Sequence, residues 1–120
     1  MALDRSEFVD YVLELMADWA AVSARKMFGG YGLYREGQMF ALIAEDELFF
    51  KTDTANAAQF ERAGCHPFIY ASQTRTVQMS YWSAPAASLD APAEMGEWCQ
   101  SAYAAALRAQ AIKPGKGKRK

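Results

Sequence analysis

The side chains best suited to chemistry in this 120-residue sequence are its two cysteines and its single histidine. His66 directly follows Cys65, and a thiol beside an imidazole is a pairing that nucleophilic catalysis uses. Adjacent residues on a strand or loop usually point apart, and no carboxylate that could orient the imidazole lies nearby in the sequence. Cys99 lies far along the chain, without a Cys-x-x-Cys spacing or a second histidine. We therefore expect no catalytic pair, no zinc site and no cofactor.

A glycine-rich segment is the second candidate, because backbone amides without side chains can cradle a phosphate group. The segment contains Gly29, Gly30 and Gly32, and it leads into Arg35 of a predicted strand. A Walker loop or a dinucleotide fingerprint would instead continue into a helix. We interpret these glycines as a turn with positive φ that lets the backbone approach a neighbour closely. The acidic residues 45–47 are typical of a solvated hairpin tip.

Aromatic side chains fall almost entirely on predicted strands and alternate with basic ones. On an exposed sheet face they could stack bases or bind a protein; alternatively they build the core and a dimer seam, which the acidic body of the chain favours. The predicted interaction surface consists of Arg25, Lys26, Gly29, Gly30, Lys51 and Trp82. The predicted dimer seam lies on a strand that is apolar on both faces, and it consists of Met39, Phe40, Leu42 and Ile43.

The charge distribution is asymmetric, although the formal net charge is only −1. Eight basic and 14 acidic side chains remain when the last eight residues are set aside, so the body repels phosphate backbones. The end of the chain could attract them by counterion release. We expect one domain at residues 1–111 and a disordered basic tail at residues 112–120. The cations of this tail are Lys113, Lys116, Lys118, Arg119 and Lys120.

The overall composition is that of an ordinary globular domain, with 52% hydrophobic and 22% charged residues, which excludes disorder throughout. No stretch approaches the roughly 18 apolar residues that a membrane helix needs. The beginning of the chain is acidic and amphipathic, unlike a secretory signal. We expect a cytoplasmic protein.

Periodicity predicts the elements that position these residues. Apolar side chains recur at three and four over residues 4–19, which indicates a helix. Two-residue polar connections join the strands that follow, which favours a meander of tight hairpins. The predicted strands are 31–35, 38–44, 47–52, 67–71 and 76–82, and the further helices are 55–63 and 92–109. The order helix, three strands, helix, two strands, helix predicts a two-layer α+β fold with helices on one face of an antiparallel sheet.

Several motifs of this chain together resemble the N-terminal domain of the TfoX/Sxy family. They are Arg-Lys-Met-Phe-Gly-Gly-Tyr-Gly-Leu-Tyr at 25–34, Gly-Gln-Met-Phe-Ala at 37–41, Leu-Phe-Phe-Lys-Thr-Asp at 48–53, Pro-Phe-Ile-Tyr at 67–70 and Met-Ser-Tyr-Trp-Ser-Ala-Pro at 79–85. The resemblance spans about residues 8–109. It implies a layout like that of type III secretion chaperones, and it supplies no catalytic residue.

The same resemblance implies a role in regulation. Full-length members regulate natural competence as coactivators with the cyclic-AMP receptor protein, and they carry a C-terminal helical domain where this chain has its basic tail. We expect a non-enzymatic, stand-alone regulatory domain that contacts the transcription machinery and forms a homodimer. Two alternatives stay open: a nucleic-acid-binding protein that uses the tail, and a small-ligand or enzymatic site in a sheet–helix cleft near Gly29, Gly30 and Cys65.

Overall fold

The computed structural model of the protein describes residues 7–27, 29–71 and 76–111. The helices are α1 (Glu7–Met16), α2 (Ala57–Arg62) and α3 (Pro92–Ala111), with a 3-10 turn at Ala86–Leu89. The strands are β1 (Ser23–Met27), β2 (Gly30–Arg35), β3 (Gln38–Ala44), β4 (Glu47–Lys51), β5 (Pro67–Ala71) and β6 (Thr76–Ser83). The predicted α+β class is confirmed.

The strands form one sheet in the order β1-β2-β3-β4-β6-β5, and every neighbouring pair is antiparallel. Helix α3 lies against β3 and β4, and α1 packs beside α3. The predicted arrangement of helices on one face of the sheet is therefore confirmed. We call the face covered by the helices the inner face and the opposite one the outer face.

The core lies between the helices and the inner face of the sheet. Helix α1 contributes a stripe at helical spacing, since Val9, Val12 and Met16 are all buried. Burying an apolar side chain of this size stabilises the fold by about 1.5 to 3 kcal/mol. The sheet and the other helices complete the same cluster with Leu33, Phe40, Ala41, Ile43, Leu48, Phe50, Phe60, Met95, Cys99, Ala102 and Ala106.

Strand β1 is absent from the sequence prediction, which placed three strands before the second helix where the structure has four. Its sequence, Ser-Ala-Arg-Lys-Met, has no apolar alternation. An edge strand buries little surface, and charged side chains there are a common protection against unwanted pairing. The period-two signal is therefore weak where a strand lies at the edge of a sheet.

A bulge in β3 interrupts the regular alternation of its side chains. Leu33 pairs with Ala41 and Tyr34 with Met39, so Phe40 is an extra residue between them. Phe40 and Ala41 both belong to the inner core cluster, whereas Met39 lies across from Tyr34 on the outer face. Cover on the inner face comes from the helices.

Two short turns confirm the predicted two-residue connections between strands. Glu36 and Gly37 join β2 to β3 with φ values of 50° and 80°. Glu45 and Asp46 join β3 to β4 with φ values of 53° and 60°. Positive φ at both central positions is the geometry whose twist matches that of an antiparallel hairpin.

The predicted basic tail lies outside the described residues, so the division into residues 1–111 and 112–120 stays a prediction. Within the part of the chain that the structure describes, no helix is both long and apolar enough to cross a membrane.

Candidate functional site

Three side chains converge above Gly32 on the outer face of the sheet. A Cβ added to Gly32 would lie 2.5 Å from the Met27 sulfur, 3.1 Å from a ring carbon of Tyr34 and 3.2 Å from the Met39 sulfur. The missing side chain thus leaves the space that these neighbours fill. Because Met27, Tyr34 and Met39 each stay partly exposed, they form a surface. We call Met27, Gly32, Tyr34 and Met39 the methionine–tyrosine patch.

Strand pairing explains how residues from three strands reach this patch. Arg25 of β1 pairs with Gly32 of β2, and Tyr34 of β2 pairs with Met39 of β3. Side chains at alternate positions of a strand share a face, so Arg25 and Met27 point to the same side of the sheet as Gly32 and Tyr34. The guanidinium of Arg25 lies 4.7 Å from the centre of the Tyr34 ring, within cation–π distance.

A second cation–aromatic pair lies further across the sheet, where β4 meets β6. The Lys51 ammonium is 5.3 Å from the centre of the Tyr81 ring and donates a hydrogen bond to Ser80 Oγ at 2.6 Å. Burial lowers the pKa of Lys51, partly offset by the charge of Asp53. Burial, with a smaller contribution from Tyr34, raises the pKa of Tyr81 to about 12. The Tyr81 hydroxyl therefore stays neutral at physiological pH.

The chemistry of the methionine–tyrosine patch suits contact with another protein. Thioether side chains are flexible and polarizable, so they adapt to different apolar partners. Tyrosine, methionine and arginine are enriched in protein interfaces. The patch and the adjacent Arg25 combine all three types at a place that no described helix covers.

A cleft of about 600 Å³ opens at the end of the sheet where β1 turns into β2. Gly29 has a φ of 76°, which confirms the predicted positive φ in this turn. A Cβ on Gly30 would lie 2.0 Å from the Ile43 carbonyl oxygen, which confirms the predicted close approach of the backbone. The lining combines apolar, basic and acidic side chains: Val9, Lys26, Met27, Gly29, Gly30, Tyr31, Ile43, Glu45 and Asp46.

The structure distributes the predicted interaction surface over four places. Arg25 and Lys51 are the members that form the cation–aromatic pairs described above. Lys26 lines the cleft together with Gly29 and Gly30. Trp82 packs against the hydrophobic core. The six residues therefore do not form one continuous surface.

The predicted dimer seam lies mostly inside a single chain. Phe40 and Ile43 face the helices and are buried in the core. Leu42 points to the outer face with an exposed fraction of 5%, and of the four residues Met39 is the one that is partly exposed. Self-association stays a prediction, and Met39 is the member of the predicted seam that a second molecule can reach directly.

The cysteine and histidine side chains are not arranged as a nucleophile and its base. His66 Nε2 lies 3.2 Å from Glu47 Oε2, and His66 Nδ1 lies 3.4 Å from the Pro67 carbonyl oxygen. Burial raises the pKa of Cys65, despite a hydrogen bond with Ser83, and raises that of Cys99 to about 12. Both thiols therefore stay protonated near neutral pH. Since a thiolate is the reactive form, neither is activated.

The carboxylate beside His66 is a feature that sequence reasoning missed. Glu47 is brought to His66 across the sheet, because Phe49 of β4 pairs with Ser83 of β6 and Ser83 in turn bonds to the His66 backbone. No local pattern signals such a contact. The histidine and glutamate side chains are 60% and 49% exposed, so water screens their interaction. Among the described residues, no group of three or more His, Cys, Asp and Glu side chains could hold a metal ion.

Comparison with known proteins identifies the family of the chain. The family model of the TfoX N-terminal domain matches residues 14–106. DNA transformation protein TfoX1 of Aliivibrio fischeri is 34% identical over 58 residues, which is 48% of this chain and 28% of that protein. The chain thus matches less than a third of the length of this relative. Since the family match includes every described strand and most of α3, the chain belongs to the TfoX N-terminal domain family.

Proposed function

We propose that this chain is a non-enzymatic regulatory domain, related to natural competence, that acts by binding another protein through the outer face of its sheet. The observation that carries the proposal is the convergence of Met27, Tyr34 and Met39 over Gly32. These side chains are partly exposed and lie on the face that the helices leave uncovered.

The family supports the regulatory part of the proposal. The curated relative is named a DNA transformation protein, and the similarity covers a part of it only. A domain of this family can contribute a protein contact to regulation without carrying out a reaction itself. The partner that we propose is a component of the transcription machinery, as the resemblance to full-length members implies.

Charge supports a protein partner over a nucleic acid for the outer face. Its described cations, Arg25 and Lys51, each lie over an aromatic ring, and Lys51 also donates to Ser80. The body of the chain has an excess of acidic side chains, which repels phosphates at long range. The rival use of the basic tail for nucleic acid concerns residues outside the described part of the chain.

Site-specific photo-crosslinking tests the proposal. A photoreactive phenylalanine analogue at Ser23 places the probe beside the patch, because Ser23 is exposed and pairs with Tyr34. The same analogue at Glu14, exposed on α1, is the control. In the native cell we expect a discrete protein adduct from position 23, none from position 14, and loss of the adduct when Met39→Lys is added.

The outcomes separate the proposal from its rivals. Equal adducts from both positions, or an adduct that Met39→Lys leaves unchanged, would show that the patch is not the contact. An adduct that nuclease digests would favour the nucleic-acid alternative. The Met39→Lys variant should melt close to the wild-type temperature, which shows that it is still folded. Met39→Leu is the conservative variant, and we expect it to keep the adduct.

A further inference from the structure

Strand β1 has an unpaired edge in the described part of the chain. It pairs with β2 on one side, in a register that runs from Ser23 opposite Tyr34 to Met27 opposite Gly30. Every second residue of an edge strand directs its backbone N–H and C=O groups away from the sheet. An extended peptide that pairs with these groups adds a strand to the sheet, with backbone hydrogen bonds for affinity and side-chain sites for specificity.

The charges on β1 decide which peptide fits. Arg25 and Lys26 occupy consecutive positions, so one points to the outer face and the other to the inner face, and both are exposed. Neither has a carboxylate within salt-bridge distance among the described residues. The edge thus carries one cation on each face, and that of Arg25 also lies over the Tyr34 ring.

The same charges argue against a second copy of the chain as the added strand. An antiparallel pair of β1 strands that is related by a twofold axis and centred on Arg25 or on Lys26 brings the two copies of that side chain opposite each other. Like charges directly opposite on neighbouring strands are destabilising, whereas opposite charges contribute about 0.2 to 1 kcal/mol per pair. The charges of β1 therefore disfavour pairing with the β1 strand of a second copy and favour pairing with an acidic strand.

The cleft at the end of β1 favours apolar residues at the other positions of the bound peptide. Its lining includes the apolar side chains of Val9 and Ile43, together with Lys26, Glu45 and Asp46. Those two carboxylates repel acidic groups, so an apolar side chain is the better occupant. A strand that alternates acidic and apolar residues can place the acidic ones beside Arg25 and the apolar ones toward the cleft, because alternate side chains point to opposite faces.

We propose that the free edge of β1 binds an extended acidic segment of a protein partner, in which acidic and apolar residues alternate, as a seventh strand of the sheet. This inference rests on the proposed function, since it names the chemistry of the partner segment. It places the backbone contact at β1 and leaves the methionine–tyrosine patch as the neighbouring surface.

A synthetic hexapeptide that alternates glutamate with valine is the probe, and a hexapeptide that alternates lysine with valine is its control. Binding to the full chain is measured by calorimetry at low ionic strength, and contact is located by amide hydrogen exchange. We expect slower exchange at Ala24 to Lys26 with the acidic peptide. Arg25→Glu, on the face that the glutamates occupy, weakens its binding about fivefold, which corresponds to about 1 kcal/mol, whereas Lys26→Glu, on the opposite face beside the valines, weakens it less. The charge-matched control Arg62→Glu, exposed on α2, changes it less than twofold.

Reversal of both charges provides the sharper test. The Arg25→Glu, Lys26→Glu double variant should prefer the lysine peptide over the glutamate peptide. Equal binding of the two peptides, protection away from β1, or no binding at millimolar peptide would overturn the inference. Slow amide exchange of β1 that appears without peptide and increases with protein concentration would also overturn the inference, because it would indicate that β1 strands of two copies pair with each other. If the Ser23 adduct survives the double variant, the proposed function stands while this inference fails.

Discussion

The backbone of Gly30 approaches that of Ile43 so closely that an added Cβ would lie 2.0 Å from the Ile43 carbonyl oxygen. The obstacle is backbone, which cannot rotate away. We expect Gly30→Ala to lower the free energy of unfolding by about 2 to 3 kcal/mol, as overpacked sites do. Urea denaturation measures this change.

Gly96 provides the opposite case on α3. A Cβ there would lie 3.6 Å from the Trp19 Cβ, an ordinary contact. Because alanine favours a helix over glycine, Gly96→Ala should raise the free energy of unfolding by about 0.5 to 1 kcal/mol. Changes of the same sign in the two glycine variants would contradict the packing described here.

Asn56 connects α2 to both the sheet and α3. Its side-chain oxygen accepts a hydrogen bond from the Asp53 backbone N–H at 2.8 Å, and its amide donates to the Lys51 carbonyl and to Ser101. The side chain is buried, so Asn56→Ala leaves partly buried partners without these hydrogen bonds. We expect a loss of about 2 kcal/mol in the free energy of unfolding. The neighbouring exposed Thr54→Ala should change it by less than about 0.5 kcal/mol, and equal effects would argue against the network.

The ion pair between Asp53 and Arg108 predicts a pH dependence of stability. Arg108 Nε and Nη2 donate to the Asp53 carboxylate at 2.7 and 3.0 Å, and these bonds are the main cause that lowers the pKa of Asp53. A lowered pKa in the folded state means that the contribution is present above about pH 4 and is lost as the pH falls below it. Solvent screens so exposed a pair, so we expect at most about 1 kcal/mol.

Arg108→Gln tests this dependence. The variant should lose stability near neutral pH and show a flatter decline in stability below about pH 4 than the wild-type chain. Chemical denaturation at a series of pH values measures both effects, with Arg62→Gln as the control. A decline as steep as that of the wild-type chain would assign the acid sensitivity to other groups.

Thiol labelling distinguishes the two cysteines. Cys65 is partly exposed with a raised pKa, whereas Cys99 is buried with a pKa of about 12. At pH 8 we expect an aromatic disulfide reagent to modify one thiol slowly, below the rate of free cysteine, and to reach the second in urea. Cys65→Ser should abolish the slow native reaction. Labelling faster than that of free cysteine would indicate an activated thiol and would support the alternative of an enzymatic site near Cys65.

Local patterns were sufficient to predict much of this fold. The three- and four-residue spacing around Val12 and the two-residue connection at Glu45 and Asp46 each depend on neighbours in the chain. The sequence predicted the helices to within a few residues, since α1 was expected at 4–19 and the structure describes it at Glu7–Met16. The family was recognised from ordered motifs that the family match confirms.

The candidate site required information that no local pattern contains. Met27, Gly32 and Met39 lie on three strands, and their convergence depends on the register of two strand pairs and on the bulge at Phe40. The sequence marked Met39 and Phe40 as one seam, although the bulge places Phe40 beside Ala41 on the inner face and leaves Met39 on the outer face. The pairing of His66 with Glu47 likewise depends on contacts across the sheet.

The bulge at Phe40 also bears on how such a domain can diversify. Its extra residue places an aromatic ring beside Trp19 and Tyr103 in the core, while Met39 one position earlier stays at the surface. A change at position 39 therefore alters the exposed outer face and leaves this aromatic cluster of the core intact, so the two can vary independently within a single strand.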